Sequence, residues 1–295
     1  FRNALQQIRK FNASINAVEF GTGDKAVKIG GENVFPLYSF DAAIENAPKV
    51  GIEITDSGME HEPECIKKYY EGCATLADMA RKAASMEGVD FLSFRMEGGD
   101  PNGANKSTEE LIGELKEIAD AVDLPLVVCG CKNVEKDAEL FSKAAEALNG
   151  KNAVILSAKE ENYKTVGAAA GLAYKQVVGA ESAVDINLAK QLNVLISQLG
   201  VDSKSVVMNV GTAAVGYGFE YVISTMDRVK AAALQQGDAN LQMPIITPVA
   251  SEAWGVKEAM ASETDAPEWG SQEERGIDME VETAMVSYRW PVPMR

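Results

Sequence analysis

The sequence predicts an α/β fold, a parallel TIM (β/α)8 barrel with an N-terminal β-hairpin and an atypical C-terminus. Three observations lead there. Strand and helix patterns alternate from about Lys49 to Ala250, the strands are short apolar runs of the kind covered on both faces, and polar, glycine-marked turns follow several of them. Such turns are where a parallel barrel builds a site, because the loops after its strands converge on one face. A chain of 295 residues with 46% hydrophobic content matches one barrel in length. Residues 1–48 are expected to form a hairpin extension and residues 49–295 the barrel, a single structural domain overall.

In chain order, Ala17–Thr22 and Ala26–Gly31 read as two short strands joined across Gly23-Asp24, a favoured turn pair, and such a hairpin could plug the bottom of the barrel. Barrel strands are expected near Val50–Ile54, Asp90–Phe94, Pro125–Cys129, Ala153–Ser157, Gln176–Gly179, Ser205–Asn209 and Pro244–Pro248. Ser107-Thr108-Glu109-Glu110 is a capping box ahead of Leu111, Ile112, Leu115, Ile118, Ala119 and Val122, which share one helical face. Other helices are expected over Ala74–Glu87, Val134–Leu148, Glu161–Tyr174, Asp185–Leu199, Tyr217–Leu234, Glu252–Ala261 and from Glu273 to Met285. Seven strands are visible where closure needs eight. Pro291 and Pro293, two apart, argue against a central strand in the final residues.

Forty-four acidic against 28 basic residues give a formal charge of -16, which disfavours nucleic acid and anionic membrane surfaces as partners. No run approaches the ~18 apolar residues of a membrane span, and Phe1-Arg2-Asn3-Ala4 does not read as a signal peptide. Cys65, Cys73, Cys129 and Cys131 are too few and too irregular for a secreted disulfide framework. The expectation is a cytoplasmic protein in a reducing compartment.

The loop Arg95-Met96-Glu97-Gly98-Gly99-Asp100-Pro101-Asn102-Gly103-Ala104-Asn105-Lys106 is the foremost site candidate, with Glu97, Asp100 and Asn105 able to hydrogen-bond at the mouth. The alternative is a connector whose Asp-Pro and Asn-Gly pairs only make turns. Cys129-Gly130-Cys131 places two thiols two apart, short of the four that an iron–sulfur cluster needs, and it is not a C-x-x-C motif. In Ser157-Ala158-Lys159-Glu160-Glu161-Asn162, Lys159 is a candidate Schiff-base lysine if desolvated, Glu161 a candidate acid or base, and Asn162 sits where the helix opens. The two glutamates equally suit a helix N-terminus. Asp185 reads as a helix cap with Asn187 in the first turn. Asn209-Val210-Gly211-Thr212-Ala213-Ala214-Val215-Gly216-Tyr217-Gly218 can offer backbone N–H groups to a ligand, yet lacks the ending of a phosphate loop. The sole histidine, His61, lies among acids that favour its protonated form, and one histidine excludes a site needing two or more. No catalytic residue and no metal ligand are assigned.

The loops share order and spacing with a known family. They include Gly98-Gly99-Asp100-Pro101-Asn102-Gly103-Ala104-Asn105, Leu126 to Cys131 with Val134-Glu135-Lys136-Asp137, and Glu161-Asn162-Tyr163-Lys164. Asp185-Ile186-Asn187 with Lys190-Gln191-Leu192-Asn193, Gly216-Tyr217-Gly218-Phe219-Glu220-Tyr221, Glu252-Ala253-Trp254, Trp269-Gly270 and Arg275-Gly276 complete the pattern. From about Gly51 to Val281 the chain resembles the small subunit of the corrinoid iron–sulfur protein, also called the delta subunit of the acetyl-CoA decarbonylase/synthase complex. The resemblance implies a heterodimer with a large subunit that carries an iron–sulfur cluster and a cobalamin-binding domain. The corrinoid (cobalamin) would then be shared between that domain and this barrel's mouth, with the cluster on the partner only. It further implies methyl transfer from methyltetrahydrofolate, through a methyltransferase, to acetyl-CoA synthase/CO dehydrogenase in the Wood–Ljungdahl pathway of carbon fixation in an anaerobe.

On that picture the chain is a non-catalytic or co-catalytic subunit of a methyl-transfer complex. Position on the mouth face makes Asp100, Asn105, Asn162, Asn187, Asn209, Thr212 and Gly216 the candidate cofactor-binding residues, hydrogen-bonding corrin carboxamides without competing for cobalt. The alternative function is a pterin-dependent methyltransferase acting on a corrinoid protein, gripping the pterin with Asp100, Asn105 and Asn209. A Schiff-base aldolase using Lys159 and a purely structural barrel are the remaining readings.

Overall fold

The computed structural model describes residues 11–35, 44–59 and 62–287, and the backbone of 288 and 292–294. Strands β1 (Val18–Phe20) and β2 (Val27–Ile29) form the expected antiparallel hairpin, pairing Val18 with Ile29 and Phe20 with Val27 around a 3-10 turn over Gly23–Lys25. The two-residue period of a strand puts Val18, Phe20, Val27 and Ile29 on one buried face, with Glu19 and Lys28 in solvent. A two-stranded hairpin is marginal alone. Here those four side chains pack with Phe91, Val127, Val154, Val177, Val207 and Ile246, the inward residues near the start of the barrel strands. At ~1.5–3 kcal/mol per buried side chain, this contact is worth on the order of 10 kcal/mol, enough to hold the plug. Phe20 meets Phe91 edge to face at 5.6 Å.

The barrel comprises β3 (Gly51–Thr55), β4 (Phe91–Arg95), β5 (Leu126–Cys129), β6 (Val154–Ala158), β7 (Val177–Glu181), β8 (Val206–Asn209), β9 (Ile246–Pro248) and β10 (Val292–Met294). The sheet order is β8-β7-β6-β5-β4-β3-β10-β9, all parallel, and a parallel bridge from Met208 to Ile245 closes the ring. The eighth strand is therefore present, against the expectation drawn from the prolines. It is three residues long, pairing Val292, Pro293 and Met294 with Ile246, Thr247 and Pro248, and Met294 with Gly51. Alternate residues of a parallel strand bond to opposite neighbours, so Pro293 removes a donor from one seam only.

Helices α1 (Glu64–Tyr69) and α2 (Leu76–Ala84) follow β3, and α3 (Thr108–Ala121) and α4 (Val134–Ala147) follow β4 and β5. Ser107 caps α3 by accepting from the Glu110 N–H, and Leu111, Ile112, Leu115, Ile118 and Ala119 are buried, as their spacing predicts. The helix after β6 is not regular. A single turn, α5 (Tyr163–Val166), widens into π-helix over Gly167–Ala173, where Gly167 and Gly171 approach Leu199 and Val201 too closely for a side chain. Next come α6 (Ile186–Gln198), capped by Asp185, and α7 (Phe219–Leu234). After β9 the expected single helix is two short ones, α8 (Ala250–Ala253) and α9 (Lys257–Met260), broken at Gly255 and followed by α10 (Gln272–Tyr288). Buried Lys230 of α7 pairs with Glu32 and ties this wall to the N-terminal extension.

Candidate functional site

The inward alternation that packs the barrel bottom turns polar at the opposite end. Register aligns Thr55 with Arg95 and Arg95 with Cys129, Glu53 with Ser93, and Glu181 with Asn209, so these residues ring the mouth. Arg95 donates from Nε to Glu53 Oε1 at 2.8 Å and from Nη2 to Glu53 Oε2 at 2.9 Å, a two-pronged pair held mostly out of solvent. Ser93 Oγ also donates to Glu53, and Arg95 Nη2 reaches Ser251 Oγ at 3.4 Å across the mouth, beyond β9. Burial is the largest influence and opposes the guanidinium's charge, but the charge and hydrogen bonds of Glu53, with Cys129 and Glu97 beside it, together outweigh it and hold Arg95 protonated. Lys159 and Glu181 form a second pair at 3.1 Å.

Glu97 accepts from Ser57 Oγ at 3.0 Å and Thr55 Oγ1 at 3.3 Å. Glu62 stands near it. Burial, then the Glu97 and Glu53 charges, raise the Glu62 carboxyl above its ordinary range. The thiols are quiet: burial pushes Cys129 up to about 12, and burial reinforced by Asp137 pushes Cys131 up to about 11, leaving both protonated at neutral pH. Among the described residues no three His, Cys, Asp or Glu side chains are grouped to hold a metal ion, and no helix is long and apolar enough to cross a membrane. His61 lies outside the described residues.

The loop after β4 is built on a buried carboxylate. Asp56 receives the Gly98 N–H at 2.9 and 3.1 Å and pairs with Lys106 at 3.1 Å, while Lys106 also reaches Glu114 at 3.0 Å. A Cβ at Gly98 would stand 2.2 Å from Asp56 Oδ2, so only glycine fits. Gly130 is equally constrained, its position lying 2.2 Å from an Asp137 oxygen that accepts from Cys131 N–H at 2.7 Å.

The sequence-derived candidates scatter. Asn209 is buried at the mouth, with Nδ2 donating to Ser157 Oγ at 3.4 Å and Oδ1 accepting from Gly211 N–H at 3.0 Å. Thr212 lies beside it, its Oγ1 buried without a partner. Asn162 is occupied internally: Oδ1 accepts from Lys159 N–H at 2.8 Å, and Nδ2 donates to the Val134 carbonyl at 3.3 Å. Asp100 closes its own turn by accepting from Asn102 N–H at 2.9 Å, while Asn105 is exposed in a left-handed conformation. Asn187 is exposed on the first turn of α6. Gly216 lines a different feature, an apolar groove of about 730 Å³ where Phe219 and Ile223 of α7 face Met285 and Val286 of α10. Asn209 thus stands at the mouth with Ser157 and Gly211, Thr212 follows it three residues on, and among the described residues none of the other five hydrogen-bonds either of them.

Sequence reasoning missed Glu53 and Arg95. The available signal was a carboxylate inside an apolar strand, Ile52-Glu53-Ile54, and an arginine ending the next one. A charge at a buried strand position needs a partner, and register supplies it across 42 residues.

Comparison with known proteins agrees with this architecture. A dihydropteroate synthase from Xanthomonas albilineans, solved with 4-aminobenzoic acid, superposes with a TM-score of 0.52 at 12% identity, covering 95% of this chain and 92% of that one. That likeness shows the barrel fold alone. The acetyl-CoA decarbonylase/synthase complex subunit delta of Methanothermobacter thermautotrophicus is 33% identical over 254 residues, covering 85% of this chain and 64% of the relative. Its namesake in Archaeoglobus fulgidus is 32% identical over 271 residues, covering 90% and 59%. The chain therefore spans about three-fifths of the length of these relatives. Residues 17–284, from the hairpin through α10, match the family described as CO dehydrogenase/acetyl-CoA synthase delta subunit, and the chain belongs to that family.

Proposed function

We propose that this chain is the barrel subunit of a corrinoid protein in an acetyl-CoA decarbonylase/synthase complex, covering one face of a corrinoid carried by a larger partner. The observation that carries the reading is the chemistry of the mouth. Its cations are taken up in pairs, Arg95 by Glu53 and Lys159 by Glu181, Glu97 accepts from Ser57 and Thr55, and its thiols are protonated, so it offers hydrogen bonds rather than a nucleophile. A corrinoid rimmed with carboxamides suits that surface. Among the described residues Asn209 Nδ2 gives one hydrogen to Ser157 Oγ at 3.4 Å and keeps a second that can donate to an amide oxygen.

When bound, the corrinoid supplies a cobalt centre that accepts and releases a methyl group. Asn209 and Ser157 would hold its amide rim. The Arg95–Glu53 and Lys159–Glu181 pairs fix the floor beneath it, and the barrel wall excludes water from one face. The partner would supply the iron–sulfur cluster. Methyl donors and acceptors, a methyltetrahydrofolate methyltransferase and acetyl-CoA synthase/CO dehydrogenase, would meet the cofactor in turn.

The test is anaerobic co-expression of this chain with the larger subunit, followed by absorption spectra and cobalt and iron analysis of the pair and of the separated chain. Corrinoid and iron retained only by the pair support the reading. A separated chain that binds methyltetrahydrofolate by calorimetry replaces it with the pterin-dependent methyltransferase.

A further inference from the structure

Arg95 has five N–H donors, and the structure uses three. Nε and one Nη2 hydrogen bond Glu53, the other Nη2 hydrogen points at Ser251 Oγ, and no described residue accepts from Nη1. Three bonds fix the guanidinium plane, so the two Nη1 donors have set directions, away from Glu53, in a residue only 9% exposed. We propose that Arg95 Nη1 is a ligand-binding donor that receives the carbonyl oxygen of a neutral, amide-bearing ligand seated on the mouth.

Charge selects that ligand class. An anion would meet a guanidinium already neutralised by Glu53, with the Glu97 and Glu62 carboxylates close by. A cation would compete with Arg95 for Glu53. A neutral acceptor gains a hydrogen bond from a charged donor without disturbing the pair. Two sources present such an oxygen: a corrinoid carboxamide and the ring carbonyl of a pterin. The inference rests on the proposed function for the first of these.

The experiment compares wild type, the double variant E53Q/R95Q and the single variant R95K. The double variant replaces the ion pair with a neutral one and deletes Nη1; R95K keeps a charge beside Glu53 without the planar fork. One arm measures retention of dicyanocobinamide by the pair with the larger subunit, read from the absorption spectrum and cobalt content after gel filtration. The other titrates tetrahydrofolate into this chain by calorimetry. Thermal melts and pair formation control for folding, and R95K serves as the measure if the double variant does not fold.

The expected result is wild-type binding in one arm, weakened about tenfold or more by both variants, the fold-change of one charged hydrogen bond. Weakening in the cobinamide arm names the corrinoid amide as ligand; weakening in the folate arm names the pterin. Wild-type binding that the variants leave unchanged overturns the role of Arg95; the proposed function stands where that binding is of cobinamide by the pair and falls where it is of tetrahydrofolate by this chain. Wild type that binds neither probe overturns both.

Discussion

Replacing Gly98 by alanine tests whether the mouth loop is organised by the buried Asp56 carboxylate. The new Cβ would lie 2.2 Å from Asp56 Oδ2 and 3.0 Å from Lys106 Cδ. Neither neighbour has room to yield: the Asp56 side chain is fully buried, and it is held by the Gly98 N–H and by Lys106 at 3.1 Å. Overpacking a well-filled site costs about 1–3 kcal/mol. Moving Asp56 loses a hydrogen bond to a charged group, another ~1.5–3 kcal/mol. The sum, about 2.5–6 kcal/mol, lowers the melting temperature on the order of 10 °C for a chain of this size. The control lies five residues on. A Cβ at Gly103 meets only Asp100 O and Cβ, at 3.6 and 3.7 Å, so Gly103→Ala is neutral or slightly stabilising through the unfolded chain. Differential scanning calorimetry of the two variants decides. Equal melting temperatures for Gly98→Ala and Gly103→Ala would refute the reasoning.

Three further outcomes are expected. Glu62→Gln stabilises the fold at neutral pH: the folded-state carboxyl is raised, so wild type loses stability as pH rises through that value. The difference in melting temperature should vanish below the ordinary glutamate range near pH 4.5, and a difference independent of pH would contradict it. Cys129 and Cys131, with thiols at about 12 and 11, should resist iodoacetamide at pH 7.5 in the native protein while partly exposed Cys73 reacts; mass spectrometry of the labelled peptides reads the order. Gly276→Ala drives a Cβ to 2.1 Å from the Trp254 ring, whose Nε1 donates to Glu280 at 2.8 Å. It should cost about 1–3 kcal/mol, seen as a shifted urea midpoint, and an unshifted midpoint would mean that Trp254 moves freely.

Seven of the eight barrel strands were legible because strands buried on both faces read as continuous apolar runs, as in Leu126-Val127-Val128-Cys129. Val292–Met294 was not, since three residues including a proline carry no such run, and its place is fixed by β9 and β3 rather than by its own propensity. The helix after β6 followed the expected span in outline, but Gly167 and Gly171 let it pack so closely that it widened into π-helix, a tertiary effect. At the mouth, the position of Asn209 was legible because it ends a strand, where the structure has it. For Asn162 either orientation was open from the sequence, and it turns back to accept the Lys159 N–H. Arg95 and Glu53 needed the strand register, which no local pattern encodes.

The depth of the mouth constrains what can sit on it. The hairpin fills the barrel from below with Val18, Phe20, Val27 and Ile29, and Phe91, Val127, Val154, Val177, Val207 and Ile246 complete that apolar layer. Cys129 and Leu156 lie above it, and the Arg95–Glu53 pair closes the column. At this level the floor is the Arg95–Glu53 ion pair itself. Breaking one member of a buried pair costs about 3–5 kcal/mol, so a ligand that needs Arg95 or Glu53 for itself starts with that deficit. A broad, neutral ligand with amide groups at its edge meets no such penalty, and it can use the donors that remain, Arg95 Nη1 and the second Nδ2 hydrogen of Asn209. The selectivity of the mouth therefore lies in what its ion pairs refuse as much as in what its hydroxyls and amides accept.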